Sequence, residues 1–444
     1  MKEYKTISKV SGPLLFLKGV DGIGLNETAE IVLPSGEVRV GKVLEINRDV
    51  SVVECLEGTD GIGNDACVRF LGKPFTVFVS KDMLGCTFNG MGNPIDVRPV
   101  AEKEVDINTP AINPLFRASP DEFIETGFSV IDGLLSIVRG QKIPIFSDAG
   151  LPHIKIMCKL AENLSRDVVV VFAAIGLTDD AAEYVSESFH ESGAMKNTVL
   201  FVNRAEDSVV ERLITPRVAL SAAEFFAWTC HKDVVVLLGD MTNYASALRE
   251  LSSAKQEVPG RMGYPPYLYS DLASIYERAG KIRNKKGSIT QLSFLTMPDG
   301  DITHPVPDLT GYITEGQILL SAELYRRGIF PPINLLPSLS RMMQQGIGEG
   351  KTREDHHEVS NQLYACYAEA KHIEDLKSIV GEDALSERDT KYLSFKNAFE
   401  TKYLAHTEHR SIDETLDIGW SLLKLVPKTD LTRISPAFLK KYGA

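Results

Sequence analysis

The stretch that decides the fold is Ile143-Pro-Ile-Phe-Ser-Asp-Ala-Gly-Leu-Pro-His-Ile-Lys-Ile-Met-Cys-Lys-Leu160. A short apolar run, Ile143–Phe146, reads as a buried strand. Ser147 to His153 is a tight loop, and apolar residues then recur at helical spacing from His153 to Leu164. Strand, tight loop and helix N-terminus together form a setting in which backbone N–H groups and the helix dipole hold an anion.

Laid on the phosphate-loop pattern G-x-x-x-x-G-K-[ST], the loop is Ser147, Asp148, Ala149, Gly150, Leu151, Pro152 and His153, followed by Ile154. Each departure from the pattern removes a function. Pro152 has no N–H to offer a phosphate oxygen. His153 is shorter than lysine and largely neutral at pH 7. Ile154 cannot ligate magnesium. The same residues also suit an ordinary strand-to-helix turn. In either case the loop is not expected to hydrolyse ATP, and nucleotide binding there is expected to be weak or absent. Gly350-Lys351-Thr352 imitates the end of a phosphate loop, but residue 345 is glutamine and no strand is expected before it.

Outward from this point the texture changes twice. Residues 1–72 carry short β-runs (Pro13–Leu17, Glu30–Leu33, Val38–Asn47, Val50–Leu56, Cys67–Phe70) broken by Gly, Asn and Asp, which predicts a small antiparallel β-barrel. Residues 73–345 alternate apolar strands with amphipathic helices. The strands are Ile143–Ser147, Asp167–Ala174, Asn197–Asn203, Asp233–Leu238, Thr290–Met297 and Gln317–Ser321. The helices are His153–Leu164, Asp180–Ser192, Pro216–Thr229 and Tyr244–Gln256. Strands apolar throughout belong to a parallel sheet covered on both faces, so this part reads as an open, doubly wound α/β domain. Residues 346–444 lose the strand signal. Val359, Leu363, Cys366, Tyr367 and Ala370 keep helical spacing, and Ser411 with Glu414 forms a capping box, which predicts a helical domain.

Composition narrows the function classes. A net charge of -12 disfavours nucleic acid, whose binding rests on clustered Lys and Arg. No run of about 18 uncharged apolar residues is present, and the N-terminus lacks a signal-peptide core, so neither membrane insertion nor export is expected. The six cysteines are dispersed without a C-x-x-C pair, which fits a reducing, cytoplasmic compartment and no bound metal. His356 and His357, adjacent in a polar run, read as solvated surface.

With these elements in place the chain resembles the α/β-type hexamer subunits of rotary ATPases. The residues that carry the resemblance are Thr126–Leu135, Arg139-Gly-Gln141, Pro259–Pro265, Leu272–Gly280 and Asp308–Gln317. Phe146–His153, without a phosphate-loop lysine, resembles the non-catalytic B (beta) subunit of V/A-type rotary ATPases, and the likeness extends over essentially the whole chain. It implies that the central α/β domain is RecA-like, P-loop-NTPase-like, and that the chain sits in an alternating hexamer of three catalytic A and three B subunits around a central rotor stalk, with a peripheral stalk. ATP or ADP and Mg lie at the interfaces with the catalytic subunit, and the complex sits on the cytoplasmic face of a membrane and moves protons or sodium ions.

The resemblance also assigns roles. Asp240, closing the strand Asp233–Leu238, stands at the Walker B-like position, either a magnesium-linked carboxylate or a relic that caps the next turn. Catalytic relatives carry a glutamate where this chain has Gly176-Leu177-Thr178, and leucine cannot act as a base. Arg341, expected in a loop after the last strands, matches an arginine finger that acts in trans at the partner's ATP site. The charged segment 381–389 is expected either to face the central shaft or to be a solvated loop. Two other readings are a regulatory nucleotide-binding subunit and an export-type hexameric ATPase, the latter disfavoured by Pro152 and His153.

Overall fold

Residues 2–164, 166–381 and 385–442 are described by a computed structural model. The N-terminal strands are β1 (Lys2–Tyr4), β2 (Ile7–Ser11), β3 (Leu14–Lys18), β4 (Glu27–Val32), β5 (Val38–Ile46), β6 (Val50–Cys55) and β7 (Cys67–Pro74). They pair antiparallel in the order β1-β7-β4-β5-β6-β3-β2. The sheet curls into a barrel around Leu15, Leu17, Ile31, Val43, Val53, Val68 and Phe70. Alternation along the strands turns Leu14 and Val52 the other way, into the core of the next domain.

A ribbon of β8 (Thr76–Val79) and β10 (Lys103–Asp106) flanks β9 (Thr87–Asn89), which joins the edge of the central sheet. Next come the short pair β11 (Phe123–Ile124) and β12 (Ile137–Val138), with helix α1 (Ser129–Leu134) between them. The main strands follow: β13 (Lys142–Asp148), β14 (Val169–Leu177), β15 (Thr198–Arg204), β16 (Asp233–Gly239), β17 (Gly280–Lys281), β18 (Ser288–Met297), β19 (Gly316–Leu320) and β20 (Ile333–Ser340). The nine-stranded sheet runs β20-β19-β13-β18-β16-β14-β15-β9, with β17 on β18. All pairs are parallel except those made by β17 and β20.

Strand β14 shows why these strands are apolar throughout. Val170, Phe172 and Ala174 face one hydrophobic layer, while Val169, Val171, Ala173 and Ile175 face the other. The first layer is closed by α2 (His153–Leu164) and α3 (Asp179–Ser192). The second is closed by α4 (Val209–Glu224), α5 (Met241–Ala254), α6 (Leu268–Tyr276) and α7 (Pro305–Ile313). Short helices α8 (Ala322–Arg326) and α9 (Met343–Gly346) flank β20.

The C-terminal part is built from α10 (His356–Val380), α11 (Glu387–Ala398), α12 (Ile412–Leu423) and α13 (Pro436–Tyr442). Val359, Leu363, Cys366, Tyr367 and Ala370 of α10 are all buried, as their spacing requires. Phe395, Phe399 and Tyr403 stack in series against them. Ser411 and Glu414 form the expected capping box at the start of α12. The chain is thus a β-barrel, an α/β domain and a helical domain in series.

Three expectations are corrected. The segment leading to Arg341 is the edge strand β20 rather than a loop, because an edge tolerates Pro337. The helix expected from Pro216 begins at Val209 behind the Ser208 cap, with Pro216 inside it. His356 is fully buried rather than solvated. Its Nε2 donates to the Gly133 carbonyl at 3.0 Å, and its Nδ1 lies 3.0 Å from the Thr352 hydroxyl. Of the segment 381–389, residues 382–384 lie outside the described residues.

Candidate functional site

The degenerate loop lies at the C-terminal end of β13, where open α/β sheets bind ligands. Ser147 is fully buried, and its hydroxyl donates to the Asp148 carbonyl at 3.0 Å. Gly150 turns the chain at a φ of +82° that favours glycine. The Leu151 amide donates back to Asp148 at 3.3 Å and the His153 amide to Leu151 at 2.9 Å. Two amides that a phosphate cradle would present are therefore engaged within the loop itself. Pro152 has none to give, and the His153 ring folds back to within 3.2 Å of the Leu151 carbonyl.

Beside the loop, Asp240 caps α5 by accepting from the Thr242 amide at 2.7 Å. Its carboxylate also accepts from the Thr296 amide at 3.1 and 3.2 Å and from the Thr296 hydroxyl. These bonds tie β16 to β18, and Asp240 is buried. Ile154, at the adjacent position where a hydroxyl would meet magnesium, is apolar. The pair does not fit a magnesium ion. Among the described residues, no group of three or more His, Cys, Asp or Glu is placed to hold a metal ion.

Gly176 and Leu177 close β14 at the same end of the sheet. Gly176 donates its amide to Asn203 Oδ1 at 3.1 Å, and Asn243 Nδ2 caps the Ile175 and Gly176 carbonyls at 3.0 Å. The Leu177 side chain is buried, and Asp179 and Asp180 open α3 just beyond it. No proton acceptor stands at residue 177 itself.

Arg341 lies elsewhere. Its backbone N–H donates to the Glu315 carbonyl at 3.0 Å, and Nη1 donates to the Thr314 carbonyl at 3.3 Å. Glu315 in turn donates its amide to Lys142 O at 2.9 Å, so Arg341 sits level with the first residue of β13. The degenerate loop begins at Ser147, five residues further along that strand, roughly 17 Å away along the backbone at about 3.3 Å per residue. Arg341 is exposed beside exposed Tyr312 and Leu339. With Phe146, Thr303, Asp308, Tyr312 and Gln317 it lines a depression of about 290 Å³. The structure thus groups Ser147–His153, Asp240 and Leu177 at one end of the sheet and anchors Arg341 at the other, with the depression that Arg341 lines reaching back to Phe146 beside the loop.

Lys142, Gln141 and Glu315 were not singled out from sequence, although the last two fall within quoted motifs. Lys142 is nearly buried, with Nζ 2.5 Å from Glu315 Oε1 and 3.3 Å from Glu277 Oε1. A lysine at the start of a strand, followed only by apolar residues, gives no sequence signal of such pairing.

Comparisons with known proteins agree with this layout. Residues 127–340 match the family model described as the ATP synthase alpha/beta family, nucleotide-binding domain. Residues 7–72 match the beta-barrel domain of the same family. Residues 345–443 match the C-terminal domain of V and A type ATP synthase. Among solved structures, the chain is similar to the ATP synthase subunit NeqB from Nanoarcheaum equitans, at 39% identity and a TM-score of 0.76. That match covers 93% of this chain and 98% of the other.

Proposed function

The chain belongs to the ATP synthase alpha/beta family as a V/A-type subunit, and on that footing we propose that it is the non-catalytic B-type subunit, which completes a neighbouring catalytic subunit's ATP site with Arg341. The observation that carries this reading is the division of the sheet. The end that would hold phosphate lacks the lysine, the hydroxyl and the catalytic acid, while an exposed arginine follows the edge strand β20 at the other end of the same sheet.

A planar guanidinium aimed at a neighbour's γ-phosphoryl group would stabilise charge that develops during transfer, an effect on the order of 10³–10⁵ in rate. The Glu315 and Thr314 carbonyls hold Arg341 level with the start of β13, at the opposite end of that strand from its own degenerate loop. Exposed Tyr312 and Leu339 beside it suit a surface covered by another subunit. ATP or ADP and its magnesium then belong to the partner's loop, since Asp240 and Ile154 do not fit the metal here.

In this reading the chain alternates with three catalytic A subunits in a hexamer. Its helical domain faces the central rotor stalk, a peripheral stalk holds the hexamer, and ATP turnover is coupled to transport of protons or sodium ions. The complex lies on the cytoplasmic face of a membrane. No helix among the described residues is long and apolar enough to cross one. An export-type ATPase working alone would need the missing lysine.

The test is to titrate the isolated chain with Mg-ATP and assay its turnover, then repeat both with a catalytic A-type subunit. Inactivity alone and activity in the mixed hexamer support the assignment. Hydrolysis by the isolated chain overturns it.

A further inference from the structure

We infer that Gln141 is a positioning residue for Arg341, holding from the core the backbone that presents the guanidinium. The inference rests on the reading of Arg341 given above. Gln141 immediately precedes β13 and is fully buried. Its Oε1 accepts from the Val138 amide at 3.0 Å. Its Nε2 donates to the Glu315 carbonyl at 3.1 Å and to the Ser340 hydroxyl at 3.0 Å.

Those two acceptors bracket Arg341. Ser340 precedes it in the chain, and Glu315 O is the carbonyl that also receives the Arg341 amide at 3.0 Å. The guanidinium itself is steered by the adjoining Thr314 carbonyl at 3.3 Å. One buried amide therefore fixes both the end of β20 and the turn before β19, the two pieces of backbone that aim Arg341. Ser340 Oγ passes the restraint on to the Ser136 carbonyl at 2.9 Å. Lys142 secures the same turn from the side, its amide 2.8 Å from Glu315 Oε2.

A positioned cation needs this kind of backing. A displacement of about 1 Å at a transition-state group costs up to about 100-fold in rate. A hydrogen-bonded amide in the core resists such displacement because moving it would strand a buried donor. Gln141 touches no reacting atom, so its loss should act on turnover through Arg341 and leave ground-state nucleotide binding alone.

The experiment uses the hexamer assembled with wild-type catalytic subunits and either Gln141→Met, Arg341→Ala or both. Methionine keeps the side-chain length and removes every hydrogen bond. Gln141→Met is expected to lower kcat about 10- to 100-fold, with KM for ATP changed less than about 2-fold. In the Arg341→Ala background it should cost less than about 2-fold more, because both changes remove one interaction. A purely structural glutamine would give independent, multiplying losses, and that result overturns the inference. Normal kcat for Gln141→Met beside an inactive Arg341→Ala overturns it while sparing the parent reading. Full activity of Arg341→Ala overturns both. If Gln141→Met fails to assemble, Ser340→Ala replaces it. That variant removes only the hydroxyl end of the clamp and should lower kcat about 3-fold or more; an unchanged kcat there overturns the inference.

Discussion

Arg341 gives its backbone N–H to the Glu315 carbonyl at 3.0 Å, at the opposite end of the sheet from the loop that would have bound phosphate. That bond anchors Arg341 level with the start of β13, while the depression its exposed side chain lines reaches back to Phe146, next to the degenerate loop. The guanidinium is open to solvent, whereas the loop amides of Leu151 and His153 are taken up by hydrogen bonds within the loop.

The degeneracy of the loop can be tested by reversing it. Ser147→Gly, Pro152→Gly, His153→Lys and Ile154→Thr together restore the phosphate-loop pattern. The quadruple variant should bind Mg-ATP at least about 10-fold more tightly than wild type, through the regained lysine and amide. It should still not turn over, because Leu177 supplies no base. Calorimetry and a phosphate-release assay on the isolated variant measure both. Turnover would show that the loop alone silences the site.

Asp240 behaves as a structural carboxylate in this geometry. Removing it strands the donors of Thr242 and Thr296. Asp240→Ala is expected to lower stability by about 2–4 kcal/mol in urea unfolding. Magnesium should give the wild-type chain no thermal shift. A magnesium-dependent rise in Tm that Asp240→Ala abolishes would point instead to a retained metal site.

Arg278, within the stretch Leu272–Gly280, is almost completely buried. Its Nε donates to Glu224 at 2.7 Å, Nη1 to the Ile107 carbonyl at 2.9 Å and Nη2 to Ser221 at 3.1 Å. Arg278→Ala leaves Glu224 without its cation, and should cost about 3–5 kcal/mol of chain stability. Loss of turnover in the hexamer with unaltered stability would assign Arg278 a direct part in the reaction.

His356 joins the helical domain to α1 in its neutral form, and burial pushes it down to about 4. The unfolded chain titrates near 6.5, so between these values it binds more protons than the folded chain. Stability is therefore complete above about pH 6.5 and falls as pH drops towards 4, by an amount on the order of 3 kcal/mol for this group. His406, lowered to about 4 by burial, acts in the same direction at the Ser129 amide. Unfolding free energies of wild type and His356→Gln between pH 4 and 8 should show a steeper acid loss in wild type. Parallel curves would contradict this.

Much of the fold was legible because burial on two faces makes strands such as Val169–Leu177 apolar throughout. The departure of Pro152 and His153 from the phosphate-loop pattern was legible because a missing N–H and a missing ammonium do not depend on how the loop folds. What escaped were features set by tertiary contact. β20 carries Pro331, Pro332 and Pro337 nearby or within it, which signals a loop unless the strand lies at an edge. His356 looked solvated because its partners, Gly133 and Thr352, come from the distant helix α1 and from the preceding loop. The hydrogen bond from Gln141 to Ser340 joins residues 199 apart in sequence, and no local pattern encodes it.

The most direct measurement is ATP turnover by hexamers assembled from a wild-type catalytic subunit and this chain as wild type, Arg341→Ala or Arg341→Lys, with assembly checked by native mass. Both variants should assemble normally and lose turnover by about 10³-fold or more, lysine included, since an ammonium lacks the planar fork. Near-normal turnover in a fully assembled Arg341→Ala hexamer would contradict the assignment of this chain as the arginine donor.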